Sequence, residues 1–104
     1  MAYFVLTREP GPSWDRSRSM REQDDWEAHA RFMDDLVDDG FVLLGGPIGD
    51  GMRFLHIVCA ENEREVRDRF AEDPWTPTER LRTASLEPWE ILLDGRAEAG
   101  GQLG

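Results

Sequence analysis

Residues 26–47, WEAHARFMDDLVDDGFVLLGGP, contain the pattern that decides the fold. Apolar side chains recur at helical spacing as far as Leu36 and Val37, and Gly40 then breaks the pattern. A hydrophobic run at 41–46, FVLLGG, follows at once and has the composition of a β-strand, which we expect Pro47 to end. The stretch therefore predicts an amphipathic helix that packs on a sheet and turns directly into one of its strands.

One histidine lies inside the apolar stripe of this predicted helix. His29 follows Trp26 by three residues and precedes Met33 by four, so the three side chains share a face. Leaving a buried polar group unpaired costs about 1–3 kcal/mol. His29 therefore needs a partner, and finding that partner is the main question that the sequence poses.

The other secondary-structure elements can be predicted on either side of this stretch. Helical and strand periodicities alternate along the chain, and a Gly- and Pro-containing loop at 9–23 separates the first two elements. The order β-α-β-β-α-β is that of an α+β, ferredoxin-like fold, an antiparallel sheet with two helices on one face. The predicted strands are 3–8, 41–46, 52–59 and 85–93; the helices begin near 24 and 62, and 75–83 is a turn or short helical piece.

The strands are apolar on both sides, although the predicted helices cover one side only. An exposed apolar sheet face of this size is unusual for a monomer. We therefore expect a homodimer that packs sheet against sheet. The domain is expected to span 1–94, and the Gly- and Ala-rich tail 95–104 is expected to be disordered.

Composition narrows the class of protein. A chain of 104 residues forms one domain, and its net charge of −10 argues against nucleic-acid binding. The 12 basic residues are all Arg, which removes Schiff-base lysine chemistry. The single Cys59 suits a reducing compartment. The apolar start, at 2–6, is too short for a leader or a membrane span. We expect a cytoplasmic protein with no membrane partner.

Three segments together resemble the YciI-like (YCII-related) family of dimeric α+β barrel proteins. They are HARFMDDL, DDGFVLLGGP, and EDPW followed by SLEPWEILL, and the resemblance covers Tyr3 to Leu93. It implies the same fold and a His–Asp pair in a pocket, at positions that match His29 and Asp73. Members of the family include a dehydrochlorinase of a substituted hydroquinone, but most have no established reaction.

The residues themselves also favour this pair. Asp73 comes where Pro74 ends the second helix, and two helices on one sheet face are neighbours, so Asp73 can reach His29. A carboxylate that orients an imidazole suits general acid–base catalysis near neutral pH. We therefore expect His29 and Asp73 to be catalytic, in an isomerisation or elimination on a small cyclic or aromatic molecule. The alternative is that the interaction between His29 and Asp73 is purely structural and takes part in no reaction.

The candidate ligand-binding residues lie outside the first helix. The glycine-rich hairpin segment at Gly46 and Pro47 can line a pocket, and Trp14 and Trp75 can contact a ligand, although tryptophans are more often core residues. His56 is expected on a pocket wall or an interface. The loop containing Trp14 is expected to be a lid or a docking arm.

No cofactor or metal is expected. Asp25 and His29 are spaced like ligands on one helix, but two ligands are too few to hold a metal. The alternative functions are a non-catalytic ligand-binding or regulatory dimer and an accessory subunit of a larger enzyme.

Overall fold

The computed structural model describes residues 1–96. These form the expected α+β, ferredoxin-like arrangement of four strands and two helices, with a short 3-10 turn in the first loop. The strands are β1 (Ala2–Pro10), β2 (Val42–Ile48), β3 (Arg53–Ala60) and β4 (Leu81–Trp89); the helices are α1 (Trp26–Asp38) and α2 (Glu63–Ala71); the 3-10 turn is Met20–Glu22.

The four strands form one antiparallel sheet in the order β2-β3-β1-β4. The central strand β1 pairs with β3 on one side, where Leu6 lies opposite His56, and with β4 on the other, where Leu6 lies opposite Leu86. This register places the even-numbered residues of β1 on the buried face, including Arg8.

Both helices pack on that buried face. Helix α2 is capped by Asn62, whose side chain accepts a hydrogen bond from the backbone N–H of Glu65 at 2.9 Å. Helix α1 contributes Leu36 and α2 contributes Phe70 to the core. The other buried residues of this cluster are Phe4, Leu6, Phe41, Val42, Val58, Ala60 and Val66. The sheet and the two helices thus enclose one hydrophobic layer, and the site lies at one end of it.

Several strand boundaries differ from the sequence prediction: β1 extends to Pro10, past its expected end at 8, and β4 ends at Trp89, before its expected end at 93. Strand β4 begins at Leu81, not at 85, because Leu81 is buried opposite Pro10 and extends the pairing with β1. Pro47 does not end β2, since it pairs with Phe54. Strand β2 is at the edge of the sheet, where a proline without an N–H group is tolerated.

The other sheet face carries no helix. Its side chains include Tyr3, Leu44 and Trp89, which are 38%, 51% and 42% exposed. Ile91 and Leu93 lie beside Leu44 and line a shallow depression with it. An apolar surface therefore remains on this side, which we call the open face. Most of the predicted tail, residues 97–104, lies outside the described residues. Within 1–96, neither helix has the length and the apolar character needed to cross a bilayer.

Candidate functional site

The candidate site lies where the start of α1 meets the end of α2. His29 is on the sheet-facing side of α1 and is 6% exposed, and Asp73, two residues beyond α2, is fully buried. The Nδ1 atom of His29 lies 3.0 Å and 2.9 Å from the two carboxylate oxygens of Asp73. The structure thus brings together the two residues that were expected to form a pair.

Local backbone structure fixes the Asp73 carboxylate. The backbone N–H of Asp73 donates to the carbonyl of Phe70 at 3.2 Å, and the Oδ1 atom of Asp73 accepts from the backbone N–H of Trp75 at 2.9 Å. This short side-chain-to-backbone turn is typical of aspartate before a proline. It holds the carboxylate against the helix end, where it faces His29.

A third side chain, that of Arg8, completes the cluster. Arg8, on β1, donates from Nη1 to Oδ2 of Asp73 at 2.7 Å and from Nη2 to Oγ1 of Thr76 at 3.0 Å. Thr76 donates in turn to the carbonyl of Phe70 at 2.7 Å. Arg8 was not predicted from the sequence as a residue of the site. The sequence pattern does place it on the buried face. Side chains two residues apart in a strand share a face, so Arg8 lies on the same side of β1 as Phe4 and Leu6.

The cluster keeps Asp73 ionised. Burial alone raises the pKa of the Asp73 carboxyl group, but the hydrogen bond from His29 and the charge of Arg8 outweigh it, so the pKa lies below its ordinary value of 3.8. An ionised carboxylate only accepts hydrogen bonds, so Nδ1 of His29 is the donor. In a neutral imidazole, Nε2 then carries the free lone pair.

Tryptophan side chains hold the His29 ring in place. Trp75 stacks on it with ring centroids 3.9 Å apart and planes 8° from parallel. The indole N–H of Trp75 donates to the carbonyl of Asp24 at 2.7 Å. Trp26 lies against both rings, 5.8 Å from His29 and 5.9 Å from Trp75. Trp75 is therefore a packing support for the histidine and is itself fully buried.

His29 lies on the wall of a cavity of about 400 Å³ between α1 and the sheet. That volume is in the range of small-molecule sites. Gly46 and Pro47, both expected in a pocket, line it. The other lining residues are Met20, Arg21, Trp26, Ala30, Met33, Asp34, Val37, Val42, Gly45, Phe54, His56 and Leu81. The wall is mainly apolar, with the two histidines on it.

Trp14 does not line this cavity. It is 8% exposed and packs in a second buried cluster, 6.0 Å from the ring of Phe54 and 5.8 Å from that of Trp75. The loop at 9–23 is anchored there, because the backbone N–H of Gly11 donates to the carbonyl of Arg80 at 2.9 Å. The ligand contact and the lid motion expected for Trp14 and its loop are not supported by this packing. Trp14 instead packs edge-on against the ring of Trp75.

The second histidine has an unusual environment. His56, on β3, is 8% exposed, and within the described residues neither of its ring nitrogens has a hydrogen-bond partner. Burial, followed by the nearby charges of Arg8 and His29, lowers the pKa of His56 from 6.5 to about 4. The ring is therefore neutral at physiological pH.

Within residues 1–96, no three His, Cys, Asp or Glu side chains converge as a metal site would require. His29, which lines the cavity, instead belongs to a hydrogen-bonded cluster in which the Asp73 carboxylate accepts from both His29 and Arg8. Proton transfer and hydrogen bonding are the chemistry that this arrangement can perform.

The fold and the site define a small α+β, ferredoxin-like protein with a hydrogen-bonded His–Asp pair beside an apolar cavity. No family model matches the chain, and no curated protein sequence matches it. Among solved structures it is similar to the 5-chloro-2-hydroxyhydroquinone dehydrochlorinase (TftG) of Burkholderia phenoliruptrix, determined in complex with 2,5-dihydroxybenzoquinone. The TM-score is 0.64 and the identity 26%, over 85% of this chain and 93% of the other. The similarity confirms the predicted fold.

Proposed function

We propose that this protein is a YciI-like enzyme that moves protons on a small ring compound bearing oxygen substituents, without a cofactor. The observation that carries the proposal is the hydrogen bond between the buried, ionised Asp73 and His29, which lines an apolar cavity. The similarity to a dehydrochlorinase solved with a bound quinone supports the choice of a ring compound. The cavity volume suits one such ring.

The chemistry follows from the two nitrogens of His29. Because Nδ1 donates to Asp73, Nε2 is the base that accepts a proton from a hydroxyl or carbon of the ligand. The resulting imidazolium is stabilised by the carboxylate. Return of the proton to another carbon completes an isomerisation. In an elimination, the C–H electron pair forms the new double bond, and the leaving group departs with its own bonding pair. Both reactions balance without an oxidant or a reductant.

We propose further that a second copy of the chain covers the open face. Tyr3, Leu44 and Trp89 are exposed there, although their side chains are apolar or aromatic. Packing sheet against sheet would remove this surface from water at about 25 cal/mol for each Å² of apolar area. The dimer would leave the cavity unobstructed, because α1 and the cavity are on the opposite side of the sheet.

The proposal is tested by incubating the protein with chlorinated and unchlorinated hydroxyhydroquinones and following halide release and the ultraviolet spectrum. We expect turnover that falls at least 100-fold in His29→Gln and in Asp73→Asn. The matched control is Asp68→Asn, an exposed aspartate on α2 whose side chain is 74% exposed, and its turnover should equal that of the parent.

The outcomes separate catalysis from binding. Turnover that survives in His29→Gln would contradict the assignment of the base. Tight binding of a ring compound without any turnover would instead support the non-catalytic ligand-binding dimer, in which the His29–Asp73 bond serves only to hold the cavity wall.

A further inference from the structure

His56 is a buried polar residue with no structural partner. Its ring nitrogens have almost no accessible surface, and no atom among residues 1–96 hydrogen-bonds to them. The neighbours in the sheet are Leu6 on β1 and Gly45 on β2, and the ring lies 5.5 Å from that of Phe70. An imidazole in such surroundings destabilises the free protein relative to an apolar side chain of similar volume.

The sheet makes room for this imidazole. A Cβ atom at Gly45 would come within 2.8 Å of Nδ1 of His56, which is closer than such atoms approach. Glycine at this position therefore allows the His56 ring to lie in the cavity wall. By contrast, a Cβ atom at Gly46 would meet nothing within 4 Å. Of these two neighbouring glycines, only the one beside His56 is required by packing.

Both imidazoles belong to the same cavity wall, but their polar environments differ. His29 is bonded to Asp73, whereas His56 has its donor and its acceptor unused. We propose that His56 is a ligand-binding residue, whose ring hydrogen-bonds a second oxygen substituent of a ring compound while the first oxygen lies at His29. This inference rests on the proposed function, because it takes the cavity to be a ligand site.

The charge state of His56 suits this task. The low pKa of about 4 keeps the ring neutral, so it retains one N–H donor and one lone pair at neutral pH. A neutral imidazole can therefore accept from a hydroxyl group or donate to a carbonyl group. The predicted ligand is a dihydroxylated ring or the corresponding dione, in preference to a ring with a single oxygen.

The test compares binding of phenol with binding of catechol, resorcinol and hydroquinone, measured by NMR titration. In the parent, the best-bound dihydroxybenzene should bind about tenfold more tightly than phenol, which corresponds to about 1.4 kcal/mol. His56→Leu should remove this advantage and leave phenol binding within about twofold. His56→Gln, which retains a donor and an acceptor, should recover part of it.

The thermal transition of His56→Leu provides a second readout. Because the substitution removes two unpartnered nitrogens, its Tm at pH 7 should equal or exceed that of the parent. A Tm lower by more than about 5 °C would identify the ring as a packing residue and overturn the proposal. A preference for the dihydroxybenzene that survives in His56→Leu would overturn it as well. If the parent binds none of these rings, nor 2,5-dihydroxybenzoquinone, the proposed function fails together with this inference.

Discussion

Replacing His56 with leucine should remove much of the loss of stability that the protein undergoes between pH 7 and pH 4.5. The unfolded chain binds a proton at His56 near the ordinary pKa of 6.5, whereas the folded protein does so only near pH 4. Between these values the unfolded state holds more protons, so acidification favours unfolding. Burial is the main cause, and the charges of Arg8 and His29 add to it, while Asp73 acts in the opposite direction.

The magnitude follows from the two pKa values. At about 1.4 kcal/mol for each pH unit, the interval from 6.5 to about 4 corresponds to about 3 kcal/mol of folding free energy. The contribution is fully present above pH 6.5 and is lost as the pH falls towards 4. Asp73 does not interfere in this range. Its pKa is depressed, so its own contribution is lost only as the pH falls below 3.8.

The assay is urea unfolding of the parent and of His56→Leu at fixed protein concentration, from pH 7 to pH 4.5. The two proteins differ only at residue 56, so the difference between the two curves isolates the contribution of His56. We expect the parent to lose about 2–3 kcal/mol more than the variant over this range. Parallel curves would refute the reasoning, because they would mean that His56 takes up its proton in the folded protein as readily as in the unfolded chain.

Two further predictions concern the surroundings of the site and a third concerns the open face. Arg8→Met should lower the unfolding free energy by about 3–5 kcal/mol, because it leaves a buried carboxylate without its guanidinium partner. The control Arg82→Met, at an exposed arginine, should change it by less than about 1 kcal/mol. Equal effects of the two substitutions in urea unfolding would contradict this prediction. Gly45→Ala should displace the NMR resonances of the His56 ring, while Gly46→Ala should leave them in place; unmoved resonances in both would refute the close contact. Sedimentation should give about twice the 11.9 kDa of one chain, and a single-chain mass at micromolar concentration would argue against the dimer.

The fold could be predicted because the hydrophobic period changes clearly along the chain. The helical stripe stops before Gly40 and a strand pattern begins at residue 41, which fixes the α-to-β transition. The start of β4 could not be predicted in the same way. Leu81 joins the strand because it pairs with Pro10, and this partner lies far away in the sequence. Strand ends are therefore set by tertiary pairing as much as by local composition.

Some residues of the site could be predicted from the sequence and others could not. His29 and Asp73 could be paired because one lies in a helical stripe and the other at a helix end marked by Pro74. Arg8 was missed, since an arginine in a strand is usually solvated, and only the three-dimensional structure shows its buried carboxylate partner. The position of Trp14 could not be predicted from the sequence either, because no local pattern indicates that its loop packs on Trp75.

The role of His29 as the base is tested most directly by ¹⁵N NMR of its ring, without ligand and at saturation with 2,5-dihydroxybenzoquinone. Because the ionised Asp73 accepts from Nδ1, we expect the free, neutral ring to be protonated at Nδ1, with Nε2 as the unprotonated nitrogen. Ligand binding should then change the Nε2 resonance strongly and the Nδ1 resonance little. An Nε2 resonance that saturating ligand leaves unchanged, or a neutral ring protonated at Nε2, would contradict the role of His29 as the base of the cavity.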